Sequence, residues 1–214
     1  MKRRFQAVLF DLDGTLADTL EDLANATNHA LTALGCPPHP VPSYRYFVGD
    51  GARNLMLRTL PAEKASLADK ALALMREHYD AHCFDRTRLY PGIPELVAAL
   101  RGLKLAVYSN KPDRFTKRMV AHYFPDKPFA SVYGHVPEMP IKPDPTVALR
   151  IAKDLEVQPS EFLYLGDTNT DMQTARAAGM FPVGALWGFR DRQELIEAGA
   201  QELVARPDEV LQLV

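Results

Sequence analysis

The chain has 214 residues, 47% of them apolar, and a formal net charge of −2 at pH 7. That length supports one good core, or a core with a smaller appendage, and the interspersed charges give no electrostatic footprint for nucleic acid or an anionic membrane. No apolar run reaches the ~18 residues of a membrane span, and Asp11 cuts the stretch after Arg4 before it could serve as a signal-peptide core, so a cytoplasmic protein is expected.

The opening stretch Ala7-Val8-Leu9-Phe10 predicts a buried strand, and it runs straight into Asp11-Leu12-Asp13-Gly14-Thr15. After it, Leu20, Leu23, Ala24, Ala30, Leu31 and Leu34 recur at helical spacing, and Gly35 with Pro37-Pro38 ends that helix. Tyr44, Tyr46, Phe47 and Val48 lead to Gly49-Asp50-Gly51-Ala52-Arg53, and helical spacing resumes through Leu55, Met56 and Leu60. Residues 63–83 predict a further amphipathic helix. About seventy residues before Tyr90-Pro91-Gly92 therefore read as all-helical with no strand-like alternation, which marks an inserted domain.

From Gly92 the pattern alternates. Helices are expected over 94–101, 113–123, 145–155, 169–178, 193–198 and 208–213, with strands over 104–109, 131–133, 162–166 and 182–186. Alternation of this kind predicts an α/β fold: a Rossmann-like parallel sheet with helices on both faces and an inserted all-helical cap. The expected division is a core of residues 1–16 and 90–214 and a cap of residues 17–89, with hinges at the two crossings near Leu16 and Leu89.

Cys36 and Cys83 lie in no CxxC pattern and read as reduced thiols. The histidines are scattered; His78 and His82 stand four residues apart with no third ligand beside them in the sequence. Lys2-Arg3-Arg4 reads as a solvated start to the chain.

Chemistry gathers at the ends of the predicted strands. In an open parallel sheet the crevice beyond the carboxyl ends of the strands is where ligands bind. Asp11 and Asp13 fall there, as do Ser109-Asn110 before the next helix, whose hydroxyl and amide can donate to phosphate oxygens. Asp167 falls at a third strand tip and Asp171 one turn into the following helix, while Lys142 is stiffened by Pro143 and Pro145. Carboxylates at this density repel one another unless a cation joins them, and hard oxygen ligands suit Mg²⁺ with water and a substrate phosphate completing its shell.

The motifs Asp11-x-Asp13-Gly14-Thr15, Ser109-Asn110, Lys142-Pro143 and Gly166-Asp167-x-x-x-Asp171 resemble, in identity, order and spacing, the haloacid dehalogenase-like superfamily in its phosphatase branch. The resemblance implies that Asp11 is a nucleophile forming an aspartyl-phosphate and that Asp13 protonates the leaving oxygen and then activates water. It implies Mg²⁺ held by Asp11, the main-chain carbonyl of Asp13, and Asp167, with Asp171 ordering its waters. Ser109, Asn110 and Lys142 would bind the transferring phosphoryl group. The presence of Asp13 argues against carbon–halogen cleavage, which needs no leaving-group acid, and Leu23 stands where phosphoglucomutases of this superfamily carry a histidine.

Asp18-Thr19-Leu20-Glu21-Asp22-Leu23 and Val48-Gly49-Asp50-Gly51-Ala52 look instead like the bacterial phosphoglycolate phosphatase family, which commonly has Asn at the position of Asp50. The expected partner is thus a small phosphorylated metabolite, with no nucleic acid and no membrane, acted on by a monomer or homodimer. A substrate carboxylate would be met by Arg53 and the amides of Gly49 to Gly51, beside Asp50, and Tyr44, Tyr46 and Phe47 either line that pocket or form the cap core. Other phosphoryl-transfer activities on the same scaffold, such as a pyrophosphatase, a sugar or nucleotide phosphatase or a mutase, remain alternatives, as does a non-catalytic module retaining the fold.

Overall fold

The structure, a computed structural model, describes residues 5–214, so the Lys2-Arg3-Arg4 cluster lies outside the described residues. Strand β1 (Ala7–Phe10) is followed by a two-residue strand β2 (Ala17–Asp18) and then by helices α1 (Leu20–Ala33), α2 (Tyr44–Phe47), α3 (Ala52–Thr59) and α4 (Ala68–His82). Strand β3 (Arg88–Leu89) returns the chain to an alternating series: α5 (Ile93–Ala99), β4 (Lys104–Pro112), α6 (Asp113–Tyr123), β5 (Ser131–His135), α7 (Thr146–Asp154), β6 (Phe162–Gly166), α8 (Asn169–Ala177), β7 (Phe181–Ala185), α9 (Arg192–Ala198) and β8 (Glu202–Val204).

Six strands form one parallel sheet in the order β5-β4-β1-β6-β7-β8. β1 lies at its centre, and all four of its residues are buried because both faces are covered. Alternate side chains go to opposite sides: Val8 and Phe10 join one core with Ile93, Phe115 and Phe129, while Ala7 and Leu9 join another with Val147, Ile151 and Ala175. The register aligns Phe10 with Val107 of β4 and with Leu165 of β6. Asp11, Ser109 and Asp167 consequently lie at the same edge of the sheet.

The helical segment packs mainly through α1 against α4, with Leu23, Ala24 and Leu31 facing a row of Ala71, Leu72, Met75 and Tyr79. Asp22, buried in α1, accepts hydrogen bonds from the Arg86 amide (3.0 Å), the Thr87 amide (2.8 Å) and the Thr87 hydroxyl (2.7 Å). It thereby fixes the end of the helical segment against the stretch that enters β3.

Three expectations need correction. Residues 17–89 are not wholly helical at their borders, because Ala17 pairs with Leu89 and Asp18 with Arg88 in an antiparallel ribbon. Two residues a side are too few for alternation to register in the sequence. The helix expected over 63–83 is divided into a 3₁₀ stretch, Ala62–Leu67, and α4, and the last expected helix is a 3₁₀ stretch, Pro207–Gln212. The three-residue edge strand β8 had no counterpart among the expected elements.

Candidate active site

Asp11, Asp167 and Asp171 stand together, with one carboxylate oxygen of each within 4.8 Å of the others. All three are buried. The only cation in contact with the cluster among the described residues is Lys142, whose ammonium lies 2.9 Å from Asp11 Oδ1 and 2.7 Å from Asp171 Oδ1. Burial, and after it the charges of Asp171 and Asp167, hold the Asp11 carboxyl well above the usual aspartate range against the pull of Lys142. Burial and Asp171 likewise push Asp167 up to about 7. Burial would lower Lys142, yet Asp11 and Asp171 hold it well above an ordinary lysine.

The three acids differ in what else they hold. Asp171 is saturated: Oδ1 accepts from Lys142 and from the Tyr164 hydroxyl (3.3 Å), and Oδ2 from the Thr168 amide (3.0 Å) and hydroxyl (2.7 Å). The Thr168 amide bond is one half of a capping box on α8, whose other half is the Asp171 amide donating to the Thr168 side chain, so this carboxylate is fixed by its own helix. Asp167 accepts from the Thr15 hydroxyl (2.8 Å) and the Phe189 amide (2.8 Å). Glycines crowd it from two sides, since a Cβ at Gly14 would lie 2.2 Å from its Oδ2 and a Cβ at Gly188 2.2 Å from its own Cβ. Asp11 Oδ1 takes the Leu12 amide at 2.7 Å together with Lys142, and Oδ2 has no hydrogen-bond donor among the described residues.

Asp13 lies outside this cluster, facing a different cation. Its carboxylate accepts from Lys111 Nζ (2.9 and 3.2 Å) and from the Thr19 hydroxyl (2.7 Å), and the Lys111 ammonium sits 4.7 Å from the centre of the Tyr79 ring. Lys111 is as buried as Lys142, yet the sequence reading gave it no role. Its position one residue after Asn110 was the available signal. Ser109 is also buried, and its hydroxyl oxygen accepts from the Lys111 amide at 3.2 Å, which leaves its hydrogen for a ligand.

Asn110 does not present its side chain to a phosphate as expected. Its amide nitrogen donates to the carbonyls of Gly49 (2.9 Å) and Lys142 (3.2 Å), and its oxygen accepts from the Lys142 amide (2.8 Å). These bonds hold the Lys142 backbone and tie the Gly49 loop to the sheet edge. Arg190, which the sequence reading passed over, fastens the same loop by donating to the carbonyls of Val48 (3.0 Å) and Arg45. Trp187 closes the other side, its indole N–H donating to the Thr15 carbonyl at 3.0 Å.

A cleft joins Asp11, Asp13, Ser109, Lys111 and Lys142 to the helical segment. Gly49 and Gly51 line it, but Arg53 and Asp50 do not. Arg53, in the first turn of α3, has a 58% exposed side chain and pairs at 3.0 Å with Asp69, and Asp50, just before the helix, pairs with Arg58. Arg76 of α4 lines the cleft instead. Tyr44 is fully buried with its hydroxyl on Asn28, Phe47 packs beside it, and Tyr46 is exposed, so none of these rings forms the cleft wall.

The family model for haloacid dehalogenase-like hydrolases matches residues 8–185, a span that runs from β1 through every acid and lysine of the crevice. The chain belongs to the haloacid dehalogenase-like hydrolases. It is similar to the phosphoglycolate phosphatase of Pseudomonas putida, 35% identical over 205 residues that cover 92% of this chain and 75% of that protein. The phosphoglycolate phosphatase of Nitrosospira multiformis is 32% identical, with 98% and 95% of the two chains covered. Among solved structures, a predicted phosphoglycolate phosphatase from Haemophilus somnus superposes with a TM-score of 0.89 at 25% identity, covering 100% of this chain and 99% of that one. As a haloacid dehalogenase-like hydrolase the chain is an enzyme, and its parallel six-stranded sheet is the fold of its structural relatives.

Proposed function

We propose that the chain is a Mg²⁺-dependent phosphomonoesterase acting through an aspartyl-phosphate, with 2-phosphoglycolate as its substrate. The observation that carries this reading is the buried group of Asp11, Asp167 and Asp171 with a single lysine. Three carboxylates facing one ammonium are short of positive charge, and an all-oxygen donor set suits a hard dication. Asp11, Asp167 and the main-chain carbonyl of Asp13 would hold Mg²⁺, with the saturated Asp171 keeping Lys142 in place beside it. The metal supplies charge neutralisation for the phosphoryl oxygens.

Ser109 and Lys142 bind and orient the phosphoryl group against Asp11. The Asp11 carboxylate attacks phosphorus, the bond from phosphorus to the ester oxygen breaks, and Asp13 delivers a proton to the departing alkoxide. Water then attacks the aspartyl-phosphate while Asp13 takes its proton, releasing inorganic phosphate and restoring Asp11. Residues 1–16 and 90–214 act as the catalytic core and residues 17–89 as a cap whose closure excludes water from the ester. The Asn110 and Arg190 bonds to the Gly49 loop support a cap that rests closed. Cytoplasmic residence completes the reading, supported by the lack among the described residues of any helix long and apolar enough to cross a membrane.

The test is a panel of 2-phosphoglycolate, pyrophosphate, hexose phosphates and nucleoside monophosphates at fixed Mg²⁺, ranked by kcat/KM. First place for 2-phosphoglycolate is expected, and a hexose phosphate at the head of the ranking refutes the substrate. EDTA treatment abolishes turnover, and Mg²⁺ restores it. The metal-free protein also loses thermal stability as pH rises from the ordinary aspartate range to about 7. The sign follows from linkage: the folded state retains protons on Asp11 and Asp167 that the unfolded chain releases, so raising the pH favours unfolding. Saturating Mg²⁺ flattens that decline, and a metal-free Tm that climbs over the same interval contradicts the electrostatic account of the site.

A further inference from the structure

The wall that the helical segment presents to the cleft is formed by Leu23, Val48, Leu55, Met75 and, from the sheet side, Phe115. These side chains offer no hydrogen-bond partner to a polyol or a base. Against this wall a sugar or nucleotide leaving group would leave most of its hydroxyls or ring nitrogens without side-chain partners, which selects against it. Two cations interrupt the apolar wall, Arg76 from α4 and Lys111 from β4. Arg76 has no carboxylate partner and no hydrogen bond among the described residues, and it stands near His135 at the end of β5. Lys111 gives one face of its ammonium to Asp13 and has three donors in all. The hydroxyl of Tyr79, whose ring underlies that ammonium, is buried without a hydrogen-bond partner.

Resting on the phosphatase reading above, we infer that Arg76 and Lys111 form a carboxylate subsite for the leaving group, with Tyr79 as its floor, and that this subsite rather than Arg53 sets substrate choice. The ligand class is a short phosphate ester whose alcohol carries one carboxylate next to the ester carbon. An ester whose anionic end lies close to its phosphate reaches Lys111 while Asp13, held by the same lysine, faces the ester oxygen. The planar guanidinium of Arg76 takes a carboxylate in a two-pronged contact, which a neutral alcohol cannot offer.

The experiment compares kcat/KM for 2-phosphoglycolate with that for ethyl phosphate, which has the same reacting bond and a similar size but no carboxylate. The wild-type protein favours 2-phosphoglycolate, and Arg76→Ala lowers the ratio by about 10- to 100-fold, the range set by losing a charge-assisted hydrogen bond. Arg76→Lys recovers part of the ratio. Because Arg76 is exposed on α4 and unpaired, both variants fold, and unchanged thermal unfolding verifies it. Competitive inhibition by glycolate weakens in step with the ratio. A wild-type preference for 2-phosphoglycolate that survives intact in Arg76→Ala and Lys111→Met overturns the subsite alone. A wild-type protein that hydrolyses ethyl phosphate as well as 2-phosphoglycolate overturns the substrate reading and the subsite together.

Discussion

Asp11→Asn yields a folded protein whose kcat is lower by about 10⁴-fold or more. The asparagine oxygen still accepts from the Leu12 amide and from Lys142, the two bonds that Asp11 Oδ1 makes, so the loop geometry persists. An amide is a poor nucleophile toward phosphorus, and no covalent phosphoryl-enzyme forms. The same change removes a carboxyl whose ionisation the buried, metal-free site opposes. In the absence of Mg²⁺ the variant's Tm therefore equals or exceeds that of the wild type at pH 7.5, and the stabilisation by added Mg²⁺ shrinks. Turnover within tenfold of wild type excludes Asp11 as the nucleophile, and a Tm well below wild type in EDTA contradicts the charge argument.

Lys142→Met has the opposite signature, damaging both stability and turnover. Lys142 bonds Asp171 at 2.7 Å, Asp11 at 2.9 Å and the Tyr108 carbonyl at 3.3 Å, all in the interior. Methionine fills the volume of the chain but leaves Asp11, Asp167 and Asp171 with no cation. Removing one side of a buried ion pair costs about 3–5 kcal/mol, or roughly 10 °C in Tm for a chain of this length. Added Mg²⁺ returns a larger share of stability to this variant than to the wild type, because the dication takes over charge that the lysine had balanced. Turnover stays low even then, since the phosphoryl group has lost its fixed ammonium. A metal-free Tm unchanged from wild type would show that the cluster does not depend on Lys142.

The sequence was most informative where a strand ended in acids. Asp11, Ser109, Asp167 and Lys142 were legible because each follows a buried apolar strand or sits between prolines, and parallel topology brings such ends to one edge. The series of helices and strands was legible for the same reason, periodicity being strong over elements of five residues or more. Direction on a helix was not. Arg53 and Arg76 are both arginines in the helical stretch between β2 and β3, and only the turn at Gly51 and the packing of α4 on α1 decide that the first meets Asp69 and the second the cleft. Asn110 had the chemistry of a phosphate donor, and only the loop folded over it revealed that its amide serves Gly49 and Lys142. Arg190 and the β2–β3 ribbon depend on pairings between residues far apart in sequence, on which local pattern is silent.

The chain contains a single tryptophan, Trp187, and its indole is bonded to the carbonyl of Thr15, whose hydroxyl in turn holds Asp167. The intrinsic ultraviolet emission of this protein is therefore an optical readout of the Asp11–Thr15 loop, with no label and no competing fluorophore of its kind. Titrating the metal or inorganic phosphate while following that emission converts an event at the acids into a signal that can be timed in a stopped-flow instrument.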